Sequence, residues 1–153
     1  MELYYFSYTG ISKEIALALS SKLKLIPKEI KSYNFPYGVW LFFSFIPGLE
    51  IRAEFESPQT YEGILVFPKW TFNCPPVSYF INRVYFKRLL LIITYGGWRE
   101  KPYGEYYKNL ARKKTQEVGI FYVKRKLWIN DSSLVLENIL KVVKTFFKLS
   151  LNM

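Results

Sequence analysis

The sequence reads as an α/β protein built on a doubly wound parallel sheet. Three observations carry that reading. Gly63 to Phe67 and Leu89 to Thr94 are apolar without alternation, the pattern of central parallel strands covered on both faces. The chain opens with a short aromatic strand, a glycine turn and an amphipathic helix, which is how an α/β unit begins. Strand and helix then alternate five times with no internal repeat and no linker. Right-handed crossovers between parallel strands give a three-layer α/β/α sandwich, a five-stranded parallel sheet in order 2-1-3-4-5. With 153 residues the chain is expected to form one domain over 1–153.

Each element follows from local pattern. Leu3 to Ser7 reads as the first strand. Ile11, Ile15, Ala18, Leu19 and Leu23 recur at helical spacing, with Lys13, Glu14 and Lys22 opposite them. Lys24 to Ile30 is a second strand, and Pro27 places it at an edge. Ser32 to Ser57 is expected to hold a short helix between loops, around the apolar stretch Val39 to Ile46. The spacing of Val77, Phe80, Ile81 and Val84 predicts a helix over Val77 to Phe86. A further helix is expected over Glu105 to Val118, with Tyr107, Leu110, Ala111 and Val118 inward and Gly119 as its left-handed cap. Ile120 to Val123 is the fifth strand. Asp131 to Leu149 is the last helix, capped by Asp131 or Ser132, with Leu136, Ile139, Leu140, Val143 and Phe147 as its stripe.

Composition excludes several chemistries. There is no histidine, so Ser-His-Asp and Cys-His catalysis and His-ligated metals are ruled out. The single cysteine, Cys74, leaves no intrachain disulfide and no cysteine cluster, and reads as a small buried hydrophobe. Lys and Arg total 22 against 12 Asp and Glu, a net charge of +10 that favours anionic ligands or partners. The N-terminus lacks a basic start and a long apolar core. The most apolar run, Val39 to Leu49, is interrupted by Pro47 and Gly48 and falls well short of the roughly 20 residues a bilayer needs. A soluble, cytoplasmic protein is expected.

In such a sheet the ligand sits at the carboxyl ends of the strands, near the switch between the first and third. Three loops end there. Ser7-Tyr8-Thr9-Gly10-Ile11-Ser12 opens a helix whose free amides and dipole form an anion site. Gly10 allows close backbone approach, and Ser7, Thr9 and Ser12 offer hydroxyls. Pro68-Lys69-Trp70-Thr71-Phe72-Asn73 follows the third strand, and Trp70 and Phe72 are large aromatics fit to stack on a planar ring. Thr94-Tyr95-Gly96-Gly97-Trp98 follows the fourth strand; its glycines can aim amides at a polar edge, and Tyr95, Trp98 and Tyr103 supply flat faces. Together the loops suit a phosphate-bearing planar heterocycle.

These motifs resemble those of the flavodoxin superfamily of FMN-binding proteins. S-x-T-G-x-S at Ser7 to Ser12 is similar to that family's phosphate loop. P-K-W-x-x-N-x-P-P at Pro68 to Pro76 resembles the loop on one side of the isoalloxazine, and T-Y-G-G-W at Thr94 to Trp98 the loop on the other. The resemblance implies a flavodoxin-like fold and FMN as cofactor. Ser7, Tyr8, Thr9, Gly10, Ile11 and Ser12 would bind its phosphate. Pro68, Lys69, Trp70, Thr71, Phe72 and Asn73 would wall one side of the ring, and Thr94, Tyr95, Gly96, Gly97, Trp98 and Tyr103 the other. It further implies an electron carrier or an NAD(P)H-dependent quinone- or flavin-type oxidoreductase. Its partner would be a redox protein with an anionic surface, or a small-molecule electron donor or acceptor. Two departures stand out: Ile11 replaces the family's usual Asn, and the chain is basic where carrier flavodoxins are acidic.

Other readings remain open. A partner-binding protein that kept the fold and lost FMN is favoured by Ile11 and by Trp40 to Ile46, through which a homo-oligomer could form. A nucleic-acid-binding module rests on Arg83 to Arg88 and Phe121 to Lys126, where basic and aromatic residues interleave. Lys124 to Lys126 more simply sit in solvent at a strand end. A phospho-acceptor regulator would need an acidic pair after the first strand, and a dinucleotide fold would need G-x-G-x-x-G; neither is present.

Overall fold

Unalternated apolar runs must be covered on two sides, and strands β3 (Glu62–Pro68) and β4 (Arg88–Tyr95) are buried on both. The structure, a computed structural model, describes residues 1–149. Strands β1 (Glu2–Tyr5), β2 (Pro27–Glu29) and β5 (Glu117–Lys124) complete a five-stranded sheet in the order β2-β1-β3-β4-β5. All four pairings are parallel, with Leu3 opposite Ile64, Leu65 opposite Leu91, and Leu91 opposite Ile120. Pro27 lies at the sheet edge, where its missing N–H breaks no inner ladder.

The period-two alternation of strand side chains divides the core between two faces. Leu3, Tyr5, Ile64, Val66, Leu90 and Ile92 meet helices α1 (Ile11–Leu23) and α6 (Ser132–Phe147) through Ile15, Leu19, Ile139 and Val143. Tyr4, Leu65, Phe67, Leu91 and Ile93 meet helices α3 (Pro75–Ile81) and α4 (Glu100–Ala111) through Val77, Phe80, Tyr103 and Tyr107. Each fully buried aliphatic or aromatic side chain contributes about 1.5–3 kcal/mol of transfer free energy. The expected helix between Ser32 and Ser57 is α2 (Tyr37–Ser44), and α5 (Arg125–Asn130) precedes α6.

Several boundaries differ from expectation, each for a physical reason. β1 ends at Tyr5, which leaves Ser7 outside the strand. Helix α3 starts on the Pro75–Pro76 pair and stops at Ile81 rather than Phe86. The chain must turn there so that Val84 and Phe86 can enter the core and Lys87 N–H can donate to Tyr61 O, 2.7 Å. Helix α4 begins at Glu100 rather than Glu105, because Tyr103, Tyr107 and Ala111 form one inward stripe at i, i+4 and i+8. Pro102 is tolerated in the first turn, where its missing N–H has no intrahelical acceptor. Val118 and Gly119 accordingly belong to β5, and Gly119 caps nothing. A Cβ there would press into Phe146, so Gly119 lets α6 approach the sheet closely. Asp131 caps α6 by accepting from Leu134 N–H at 3.2 Å, and the short helix α5 precedes it; Lys124 and Lys126 are exposed at the end of β5 as expected, while Arg125 between them is half-buried.

Candidate functional site

The three loops converge at the carboxyl ends of β1, β3 and β4, and hydrogen bonds fasten them together. Ser12 Oγ lies 3.0 Å from Thr94 Oγ1, joining the start of α1 to the end of β4. Lys69 N–H donates to Thr94 O at 2.6 Å, joining the loop after β3 to the same residue. Gly10 has φ of 103°, a left-handed conformation that favours glycine, and a Cβ there would meet nothing within 4 Å. Its N–H donates to Ser7 Oγ at 3.0 Å, which leaves the Ser7 O–H free to donate elsewhere. No side chain caps α1, so its first-turn amides have no side-chain acceptor.

Beside this helix start lies a crevice of about 290 Å³, near the lower end of the ~300–1,000 Å³ range of small-molecule sites. Tyr8, Thr9, Lys69, Trp70, Thr71 and Trp98 line it, all of them residues the sequence singles out. Tyr37, Trp40, Leu41 and Ser44 of α2 form a further wall, and Arg125 closes the side toward β5. Trp70 is steadied by Phe6, Tyr8 and Trp40, with ring centroids 5.5, 6.1 and 5.4 Å away. Trp98 is 58% exposed and carries Lys69 Nζ at 5.1 Å from its ring centroid. Arg99 stands 5.5 Å from the same ring. The two indoles line one crevice, and each contacts other neighbours.

Charge in the crevice is one-sided. Lys69 and Arg125 line it and, among the described residues, no carboxylate does. Burial pushes the Lys69 ammonium below its ordinary pKa and Arg99 pushes it further, while Glu100 opposes them. An anion entering the crevice would stabilise the charged lysine. Flat aromatic faces, open amides and fixed cations therefore fit a planar ligand with an anionic group.

The other expected site residues are placed elsewhere. Ser12 is buried and its hydroxyl is taken up by Thr94. Ile11 is half-buried and packs against the core on the α1 side of the sheet, and it does not line the crevice. Pro68 ends β3, and its carbonyl accepts from Tyr103 Oη at 3.0 Å. Tyr103 is buried in α4 beneath the loop. Phe72 pairs with Phe45 at 5.9 Å and faces a separate hollow with Pro47 and Tyr106. Tyr95 turns edge-on to Tyr122 at 6.2 Å. Gly96 is open, and Gly97, with φ of 133°, lies against the Lys124 stem.

Asn73 has become an anchor inside the protein. Fully buried, it donates to Ile46 O and Leu49 O at 3.1 and 2.8 Å and accepts from Ser78 and Tyr107 hydroxyls at 2.5 and 3.0 Å. It thereby holds the chain after α2 against the loop after β3. Cys74 is also fully buried, and burial pushes its thiol well above the ordinary range. The α2 wall and Arg125 escape pattern reading, because neither shows a motif. Arg125 is legible only from its position immediately after β5.

A protein of Archaeoglobus fulgidus described as uncharacterized is 40% identical over 146 residues, which span 94% of this chain and 99% of that one. The two chains belong to one family. No protein-family model matches the sequence. Solved structures similar to this chain share its flavodoxin-like fold. A candidate flavoprotein from Bacteroides eggerthii has a TM-score of 0.64 at 16% identity, over 92% of this chain and 94% of its own. One from Bacteroides uniformis has a TM-score of 0.65 at 12% identity, over 92% and 96%. The apo-form of a flavoprotein from Lactobacillus acidophilus has a TM-score of 0.57 at 15% identity, over 82% and 94%. At such identities the likeness is one of fold, and it agrees with the observed strand order. Among the described residues no helix is long and apolar enough to cross a membrane.

Proposed function

We propose that the crevice binds FMN and that the chain is a flavodoxin-like redox protein, either an electron carrier or an NAD(P)H-dependent oxidoreductase. The observation that carries this reading is the meeting of Trp70 and Trp98 in one crevice beside an uncapped helix start. The first-turn amides of α1, with the Ser7 and Thr9 hydroxyls, would hold the phosphate. Trp70, Trp98 and Tyr8 would flank the ring, and the Gly96–Gly97 amides would meet its polar edge. The bound flavin would supply electron or hydride transfer, and the protein would orient and tune it. Lys69, whose ammonium lies over Trp98, would place positive charge beside the ring, which favours a more negative bound species and so raises the reduction potential. The net charge of +10 favours a donor or acceptor with an anionic surface.

The test is direct. The purified protein is expected to be yellow with a two-banded flavin spectrum, and heat release should yield FMN. A colourless preparation that also fails to quench added FMN fluorescence would overturn the reading. Turnover of NADH with a quinone would then separate enzyme from carrier.

One observation favours a second reading, a partner-binding protein without flavin. Helix α2 and the turn after it expose Tyr37, Phe42, Phe45 and Ile46 by 64, 65, 52 and 39%, an apolar surface of the kind that marks interfaces. Failure of FMN binding would leave this reading in place.

A further inference from the structure

The run Lys124-Arg125-Lys126 at the end of β5 is not a uniform solvated patch. Lys124 and Lys126 are exposed, whereas Arg125 is half-buried and lines the crevice. Its Nε is buried and has no hydrogen-bond partner among the described residues. A guanidinium nitrogen left in that state is costly unless something charged or polar meets it. None of the ion pairs of the described residues includes Arg125.

The sheet register brings this arginine close to the start of α1. Ser12, in the first turn of α1, touches Thr94 at 3.0 Å. Thr94 lies opposite Val123 and Tyr95 opposite Lys124, in the neighbouring strand. Arg125 follows directly. Arg125 thus stands across β4 from the start of α1, whose uncapped amides follow Gly10. Tyr8 and Thr9, which precede those amides, line the crevice together with Arg125.

We propose that Arg125 is a fixed counter-charge for a phosphate group seated at the start of α1, so that the chain takes a phosphomonoester through a guanidinium as well as through backbone amides. The proposal rests on the reading of the crevice as a site for a phosphorylated flavin and names the group that would select the phosphorylated form. Arginine stays charged across the working pH range, while a phosphomonoester gains its second charge near pH 6. Selection against the unphosphorylated analogue should therefore strengthen above pH 6 and weaken with salt.

The experiment compares FMN, riboflavin and inorganic phosphate on the full chain, with R125Q and K126Q. The wild-type protein should bind FMN more tightly than riboflavin. R125Q should weaken FMN by about tenfold, equivalent to ~1.4 kcal/mol, and leave riboflavin unchanged. K126Q, with the same charge change one residue away in solvent, should leave both unchanged. The proposal is overturned if wild type binds FMN and riboflavin equally, if R125Q affects both ligands or neither, or if K126Q matches R125Q. Should wild type bind neither flavin, the flavin reading fails and inorganic phosphate decides the proposal by itself. A phosphate-induced rise in melting temperature that R125Q abolishes supports it, and no rise, or an equal rise in R125Q, overturns it.

Discussion

Ser12 Oγ and Thr94 Oγ1 lie 3.0 Å apart, each residue almost wholly buried, and so fix the first turn of α1 to the end of β4. Thr94 also accepts Lys69 N–H through its carbonyl, so one residue ties all three crevice loops together. Removing either hydroxyl leaves the other buried without its partner, at about 1–3 kcal/mol. Ser12→Ala and Thr94→Val are each expected to destabilise by that amount. The double variant should cost less than the sum, with a coupling of about 1 kcal/mol. Urea unfolding of the four proteins measures it; strictly additive losses would show that the contact carries no energy.

Asn73 shows a different kind of control over the crevice. It bonds two carbonyls and two hydroxyls without lining the crevice itself. Asn73→Ala strands several buried partners, each at about 1–3 kcal/mol. The expected result is a loss of roughly 3 kcal/mol or more in unfolding free energy. On the proposed reading, and under conditions where the variant is folded, FMN affinity should change far less than in a crevice variant such as Trp98→Ala. Equal losses in both would place Asn73 among the ligand contacts.

What could be read from the chain, and what could not, divides by the range of the interactions. The strands β3 and β4, the edge position of Pro27 and the turn at Gly10 are all local signals, and each sits where its pattern implies. Tyr103 reads as a loop aromatic because Gly96, Gly97 and Pro102 surround it, yet the stripe it shares with Tyr107 and Ala111 draws the helix back to Glu100. Three of the four partners of Asn73 lie 24 to 34 residues away in sequence, which no local pattern reveals. Arg125 looks like one charge in a solvated run until the strand register sets it at the crevice. Long-range packing decided each of these, as it does wherever tertiary contacts override propensity.

Alkaline pH should weaken the fold in a defined direction. Burial pushes the hydroxyls of Tyr103 and Tyr107, and the thiol of Cys74, well above their ordinary values. A group whose folded pKa is raised holds its proton after the unfolded chain has lost it. The stability such groups contribute is thus complete below the unfolded values, about 8.5 for Cys and 10 for Tyr, and is lost as pH rises toward the folded ones. Each fully shifted group should remove about 1.4 kcal/mol per pH unit in that window. Unfolding free energies between pH 8 and 11 should therefore fall with a slope that Tyr107→Phe makes shallower. An unchanged slope in that variant would sink the assignment to Tyr107.

Lys69 gives a prediction of opposite origin. Burial beside Trp98 and Tyr103, with Arg99 near, lowers its pKa from the usual lysine range, so it loses its charge earlier than an exposed lysine would. An anionic ligand prefers the charged form. On the proposed reading, FMN affinity should be flat near neutrality and should decline as pH rises through the lowered Lys69 value. Lys69→Met should weaken FMN several-fold at pH 7, in line with loss of a partly exposed charge contact of about 1 kcal/mol, and should remove the alkaline decline that wild type shows. Fluorescence titrations of both proteins from pH 7 to 10 make the comparison, with the flavin's own titration common to the two. Parallel pH profiles would mean that the Lys69 charge does not reach the ligand.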